Sequence, residues 1–224
     1  MVTNAEKPQF SQRQPSPQQS PQTQAFLQAN DENLQELATF VDFAGEKFTP
    51  CFVSVNFRDD RAAIIEALRH HPVCEDVQFV VVEVSDPNLR FLRDDLVKRL
   101  PKIEREPGKK LVLLLTGLEA SIGMVGDYPP MLVYLNYVRD GFKAAVPYPM
   151  VIFLPDESLR RLAEFAPDFW AWRMAVIRFE SVPDTVRGYV YQLMERYSEA
   201  IANCTQEIEL NPDFQEAIAQ RGEV

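Results

Sequence analysis

The segment 149–180 constrains the fold most, because it places an apolar strand, an amphipathic helix and a second strand in immediate succession. Residues 150–154 form an apolar run without alternation, which is typical of a strand buried on both faces of a parallel sheet. Four apolar residues at helical spacing follow, and Pro167 ends that helix. Residues 174–179 supply the next strand, so the segment predicts half of an α/β domain.

The same alternation begins at residue 51 and continues to residue 180. It predicts a five-stranded parallel sheet with right-handed crossovers and helices on both faces. The predicted strands are 51–55, 77–84, 110–115, 150–154 and 174–179. The predicted helices between them are 60–69, 88–100, 130–142 and 156–166.

The chain divides into three predicted parts. Residues 1–30 are rich in Gln, Pro and Ser and nearly free of apolar residues, which predicts a disordered tail, and removal of residues 1–28 is expected to leave stability unchanged. Residues 31–182 form the α/β domain, beginning with a helix that covers a sheet edge. Residues 183–224 form a separate helical unit.

The bulk composition excludes several classes of function. A net charge of −10 argues against nucleic acid as the main partner, and no apolar run is long enough to span a membrane. No secretory signal is visible, so the cytoplasm is expected. Cys51, Cys74 and Cys204 lack metal-ligand spacing and are predicted to be buried thiols, with no metal site.

The pair Arg187-Gly188 recurs 34 residues later as Arg221-Gly222, and 34 residues is the period of a known helix-pair repeat. The intervening string RGYVYQLMERYSEAIANCTQEIELNP resembles the tetratricopeptide (TPR) repeat. Its small, aromatic and turn positions are occupied as the repeat requires, while Glu207 departs from the pattern, which expects a small residue between the helices. The matching residues are Gly188, Tyr191, Tyr197, Ala200, Leu210 and Pro212.

The turn after the first strand tests for a P-loop nucleotide site. Such a site needs glycines that bring backbone N–H groups to the phosphates and a lysine that meets them. The sequence here is NFRDDR, residues 56–61, which has neither, and it carries two carboxylates. The sequence therefore predicts that the phosphate loop is lost.

The third strand and the residues after the fourth resemble a bacterial group of STAND-related proteins, in which an NTPase-like α/β region precedes TPR repeats. The string APDFWAWR, residues 166–173, carries this resemblance. Thr116 stands where the group has a magnesium-binding aspartate, followed by Gly117, Leu118 and Glu119. Leu154-Pro155 replaces a polar sensor position. The resemblance implies a P-loop-NTPase-like fold whose ATPase machinery is degenerate, with no cofactor.

Some residues of this region are candidates for residual binding. Thr116, Glu119, Arg139 and Arg173 are weak candidates for an anion or nucleotide site. The aromatic residues Trp170 and Trp172 are interpreted as core packing or, alternatively, as part of a partner pocket.

Three functional interpretations follow. The first is a non-catalytic scaffold or regulator, in which an inactive STAND-like domain presents TPR helices to a protein partner. The alternative is a nucleotide-binding signalling switch with an unconventional ATP site built from Thr116, Glu119 and Arg173. A third is a response-regulator-like sensor that uses Asp59 and Asp60, although Thr116 stands where its phosphoacceptor is expected.

The C-terminal unit predicts weak self-association. Arrays of this kind generally need about three stacked helix pairs, and only one complete pair is recognised. The exposed faces carry the predicted partner-binding residues Tyr191, Tyr197, Ile201 and Ile218. We expect the chain to self-associate weakly through residues 187–224, or this end to fray, and sedimentation of the full chain against a truncation at Val182 measures it. A strictly monomeric full chain with strong amide protection in its final residues would contradict this expectation.

Overall fold

The structure is a computed structural model that describes residues 20–123 and 128–181. The first nineteen residues of the predicted tail lie outside the described residues. So does the predicted TPR unit, with Tyr191, Tyr197, Ile201, Ile218 and Cys204.

Five parallel strands form one sheet in the order β2-β3-β4-β1-β5. The strands are β1 Thr49–Ser54, β2 Val77–Glu83, β3 Lys110–Thr116, β4 Pro149–Leu154 and β5 Ala175–Arg178. The predicted five-stranded parallel sheet is therefore confirmed. Because all strands run the same way, the residues that follow β1, β3 and β4 meet at one edge of the sheet, here named the carboxyl edge.

Nine α-helices lie within the described ranges, and they cover both faces of the sheet. One face packs against α1 Pro21–Ala29, α2 Asp31–Phe43 and α3 Arg58–Arg69. The other packs against α4 Leu92–Arg99, α5 Glu119–Ile122, α6 Pro130–Tyr137, α7 Arg139–Ala145, α8 Asp156–Phe165 and α9 Pro167–Trp170.

Strand β3 shows how the sequence serves both faces. Its side chains alternate between the two layers: Val112 and Leu114 enter the core under α1 to α3, while Leu111, Leu113 and Leu115 enter the core under α4 to α9. All five are buried. An unbroken apolar run is thus what a strand with two covered faces requires.

The helix predicted over residues 130–142 is interrupted at Val138, which separates α6 from α7. Val138 N–H still donates to Tyr134 O at 2.9 Å, and Phe142 N–H donates to Val138 O at 3.1 Å. Leu135 before the interruption and Phe142 after it are both buried in the same core. Apolar spacing does not reveal such a local change of backbone angle.

Helix α1 corrects the predicted tail, which was expected to extend to residue 30. Ser20 Oγ accepts the N–H of Thr23 at 3.2 Å, and Pro21 occupies the first turn, so the helix has a defined start. Phe26 is buried with its ring centroid 6.2 Å from that of Phe179. One aromatic anchor thus orders a segment whose average composition indicates disorder, and a deletion of residues 1–28 would remove that anchor.

Asn30 joins this N-terminal region to the last strand. Its Nδ2 donates to Phe26 O at 2.9 Å and to Glu180 O at 2.8 Å, while its Oδ1 accepts the Glu180 N–H at 2.8 Å. The side chain is buried and continues the hydrogen bonding of the β5 edge beyond Arg178. We name this arrangement the Asn30 clamp.

Replacing Asn30 by Ala is expected to lower the free energy of unfolding by about 2 kcal/mol, because three hydrogen bonds of the buried Asn30 side chain are lost, two of them to the backbone of Glu180. Urea denaturation followed by circular dichroism measures the change. Asn33→Ala is the control, since Asn33 makes one side-chain bond to Asn30 at 3.2 Å and its loss should have a much smaller effect. Equal effects of the two substitutions would contradict the clamp.

Candidate functional site

A cleft of about 400 Å³ lies at the carboxyl edge of the sheet. The residues after β1, β2 and β3 form its walls, with Pro155 at the end of β4. Its polar lining residues include Asn56, Arg58, Arg61, Glu83, Ser85 and Glu119. This is the edge at which open α/β sheets generally bind ligands, which makes the cleft the candidate site.

The turn after β1 is attached to the start of α8. Asn56 Nδ2 donates to Asp156 Oδ2 at 2.9 Å, and the N–H of Asp156 donates back to Asn56 Oδ1 at 3.0 Å. The Ser54 hydroxyl and Arg178 Nη1 both donate to the other carboxylate oxygen of Asp156, the latter at 3.4 Å. Asp156 therefore joins the ends of β1 and β5 to α8 at the place where a phosphate loop was sought.

Two ion pairs line the cleft. Arg61 Nη1 lies 2.9 Å from Glu119 Oε1, and their side chains are only 14% and 29% exposed. Arg58 Nη2 lies 3.6 Å from Glu83 Oε1, with side chains that are 80% and 59% exposed. The four charges cancel, so the cleft combines cations and anions without a net excess of either.

Glu119 is held from one side only. Its Oε1 accepts from Arg61, while its Oε2 is covered by protein and has no hydrogen-bond partner within the described part of the chain. Covering a carboxylate oxygen without a donor is unfavourable, so the Arg61 contact is the main interaction that stabilises the charge.

Gly117 is required by the backbone of this region. Its φ is +86°, and a Cβ there would lie 3.0 Å from Val84 O. The neighbouring Thr116 is buried at the end of β3, where its carbonyl accepts the Val84 N–H at 2.7 Å. The backbone geometry therefore explains why position 117 is a glycine, without reference to any ligand.

The structure does not bring Thr116, Glu119 and Arg173 together. Arg173 precedes β5, and the adjacent Met174 N–H donates to Pro50 O at 2.8 Å, near the start of β1. Arg173 therefore lies at the opposite, amino edge of the sheet. There its guanidinium stacks 4.5 Å from the Trp170 ring centroid and donates to Trp170 O at 3.0 Å. Arg139 is the first residue of α7.

The tryptophans pack onto the core at the amino edge. The ring centroids of Trp170 and Phe52 are 5.0 Å apart, and those of Trp172 and Phe48 are 5.9 Å apart. Both indoles are half-buried, and the neighbouring Phe169 is fully buried. These contacts favour the packing interpretation; a role of the two tryptophans in partner binding stays a prediction.

Sequence reasoning missed Asn56, Arg61 and Asp156 as the residues that shape the cleft. The spacing of Asn56 and Asp156 is too large for a local motif, and only the adjacency of β1 and β4 brings them together. Asp60, by contrast, is buried and accepts from the Ser181 hydroxyl at 3.2 Å, so its environment is that of a structural residue.

No cluster of three or more potential metal ligands occurs in residues 20–123 and 128–181. The predicted burial of Cys51 and Cys74 is confirmed. Burial, with a smaller contribution from Glu36, raises the pKa of the Cys51 thiol to about 12. Among the helices of residues 20–123 and 128–181, none is long and apolar enough to cross a membrane.

No protein-family model matches the chain, and no curated protein matches it in sequence. Solved structures with a similar fold include Rif2 in complex with the C-terminal domain of Rap1, at 12% identity and a TM-score of 0.45, covering 84% of this chain and 71% of that one. The Aeropyrum pernix ORC2 protein in its ADP form has 11% identity and a TM-score of 0.43, covering 84% and 55%. The Aeropyrum pernix ORC1 protein in complex with DNA has 13% identity and a TM-score of 0.40, covering 81% and 55%.

A double-mutant cycle on Arg61 and Glu119 is expected to give a coupling energy of about 1 kcal/mol or more, because both side chains are largely shielded from water. The free energies of unfolding of Arg61→Ala, Glu119→Ala and the double variant measure it. The matched control is Arg58 with Glu83 in the same cleft, where solvent exposure should reduce the coupling to almost nothing. Similar coupling energies in the two cycles would show that burial does not strengthen the ion pair between Arg61 and Glu119.

Proposed function

We propose that this protein is a non-catalytic scaffold or regulator, in which a degenerate NTPase-like α/β domain presents the predicted TPR unit to a protein partner. The observation that carries the proposal is the bonding between Asn56 and Asp156. It fixes the turn after β1 to the start of α8 and places a carboxylate beside that turn.

A triphosphate would meet unfavourable chemistry at this turn. Phosphates bind where several backbone N–H groups converge and where positive charge exceeds negative charge. Here the first turn of α3 carries Asp59 and Asp60, and Asp156 stands on the other side. Arg58 and Arg61 each contact a glutamate, and Arg178 contacts Asp156, so each of these cations already faces a carboxylate.

The chemistry of hydrolysis is also poorly supported. A general base must accept a proton from water at its free carboxylate oxygen. Glu119 has one oxygen on Arg61 and the other covered. Thr116 offers a neutral hydroxyl in a buried position where a magnesium ligand would be an aspartate.

The alternative is a nucleotide-binding signalling switch, and the specific observation that favours it is the cleft of about 400 Å³ at the carboxyl edge. A ligand there would contact Arg58 and Arg61 in place of the distant Arg173. It would also have to displace Glu119 from Arg61.

Titration with ATP and Mg²⁺ by calorimetry separates the two functions. The scaffold proposal predicts no heat of binding and no turnover, and no rise in melting temperature with added nucleotide. Glu119→Gln is the informative variant, because it removes the ion pair from Arg61 at nearly constant size. Micromolar binding with turnover by the unmodified chain would overturn the proposal in favour of the switch.

The partner is sought with the full chain as bait in extract of the native host. A bait with Tyr197→Ala and Ile201→Ala is the matched control, since both residues belong to the predicted repeat and lie outside the α/β domain. The proposal predicts a protein that is retained by the unmodified bait and lost by the control. Retention by both baits would assign the interaction to the α/β domain instead.

A further inference from the structure

Strand β2 is an outer strand of the sheet, and β3 is its neighbour. The Val84 N–H donates to Thr116 O, and Asp76 O accepts the Lys110 N–H, so the even-numbered residues of this strand direct their backbone groups toward β3. Backbone direction alternates along a strand, and the N–H and C=O groups of Phe79, Val81 and Glu83 therefore point outward.

The two outer strands are protected unequally. At β5, the Asn30 clamp occupies both the N–H and the C=O of Glu180. At β2, Arg99 Nη1 occupies only Glu83 O, at 2.8 Å. Within the described ranges, the outward groups of Phe79 and Val81 have no such cover.

The side chains of this edge do not discourage pairing. Residues 77–82 read VQFVVV and contain no charge, while natural sheets usually guard an open edge with charged residues or proline. Val81 is 40% exposed, and Phe79 beside it is half-buried. The open edge is thus an apolar strand with free backbone donors and acceptors. Another strand can pair with these donors and acceptors and cover the apolar side chains at the same time.

We propose that β2 pairs with β2 of a second copy of this chain, antiparallel and about a two-fold axis, to form a continuous ten-stranded sheet. A two-fold axis makes an interface self-complementary, and two identical edges related by it must run antiparallel. The occupant is a second copy because the edge of β2 is complementary to itself. In the pair, an uncharged apolar strand lies beside an identical uncharged apolar strand.

Backbone direction limits the possible registers of this pairing. Hydrogen-bonded pairs must join residues whose groups point outward, so Phe79 faces Val81 of the second copy and Val81 faces its Phe79. Val80 then lies opposite its own equivalent. This register uses both open residues of each strand, whereas a register that opposes Phe79 to Glu83 would need the Glu83 C=O, which Arg99 already occupies.

The usable edge is short, which makes the dimer a weak and reversible one. Arg99 closes the Glu83 end, and the Gln78 side chain bonds to Glu104 O at 2.7 Å and to the Glu106 N–H at 3.0 Å, holding that loop near the start of β2. The open part is therefore residues 79–82.

Sedimentation velocity of the full chain over a range of concentrations tests the proposal. Val81→Lys is expected to raise the dimer dissociation constant about tenfold or more, because it places two equal charges at the paired edge. Val133→Lys is the matched control: Val133 lies on α6 and is 42% exposed, so the substitution adds the same charge to an equally exposed valine away from the edge.

Amide exchange supplies the second measurement, which does not depend on a variant. Protection of the Phe79 and Val81 amides should rise with protein concentration. A full chain that stays monomeric would overturn the proposal, whether those amides exchange freely or are protected by another part of the chain. A dimer unaffected by Val81→Lys would also overturn it and would place self-association elsewhere, as in residues 187–224.

Discussion

A parallel sheet must bury both of its faces, and the rest of this structure depends on that constraint. Parallel strands are joined by crossovers that place helices above and below, so each central strand contributes side chains to two cores. The alternation of β3 between the two helical layers is the direct result. The same constraint leaves only two places for polar chemistry: the edges of the sheet and the turns where strands end.

The parts of the fold that could be predicted from the sequence are those that depend on neighbours along the chain. The apolar run of β4 and the helical spacing of α8 carry their own signal, and both were located to within a residue or two. Strand order, the break at Val138 and the docking of α1 depend on residues that are distant in sequence. Phe26 could not be recognised as a core residue because its partner Phe179 comes directly after the last strand.

The candidate site shows the same division. The absence of glycine and lysine after β1 is a local feature, and it was sufficient to predict the loss of the phosphate loop. The replacement contacts are not local: Asn56 meets Asp156, and Arg61 meets Glu119, only because of the strand order. Arg173 is a weak candidate for this site from the sequence alone, and the direction of β5 places it at the other edge.

The Asn30 clamp has a consequence for the order of events during synthesis. A chain emerges from the ribosome with its N-terminus first, and α1 is made long before the strand that receives it. The ring contact of Phe26 with Phe179 and the hydrogen bonds of Asn30 to Glu180 both require the residues directly after β5. The apolar face of α1 therefore stays without its final partner until residue 180 has left the exit tunnel. The packing of α1 is completed only when the chain that follows β5 is in place.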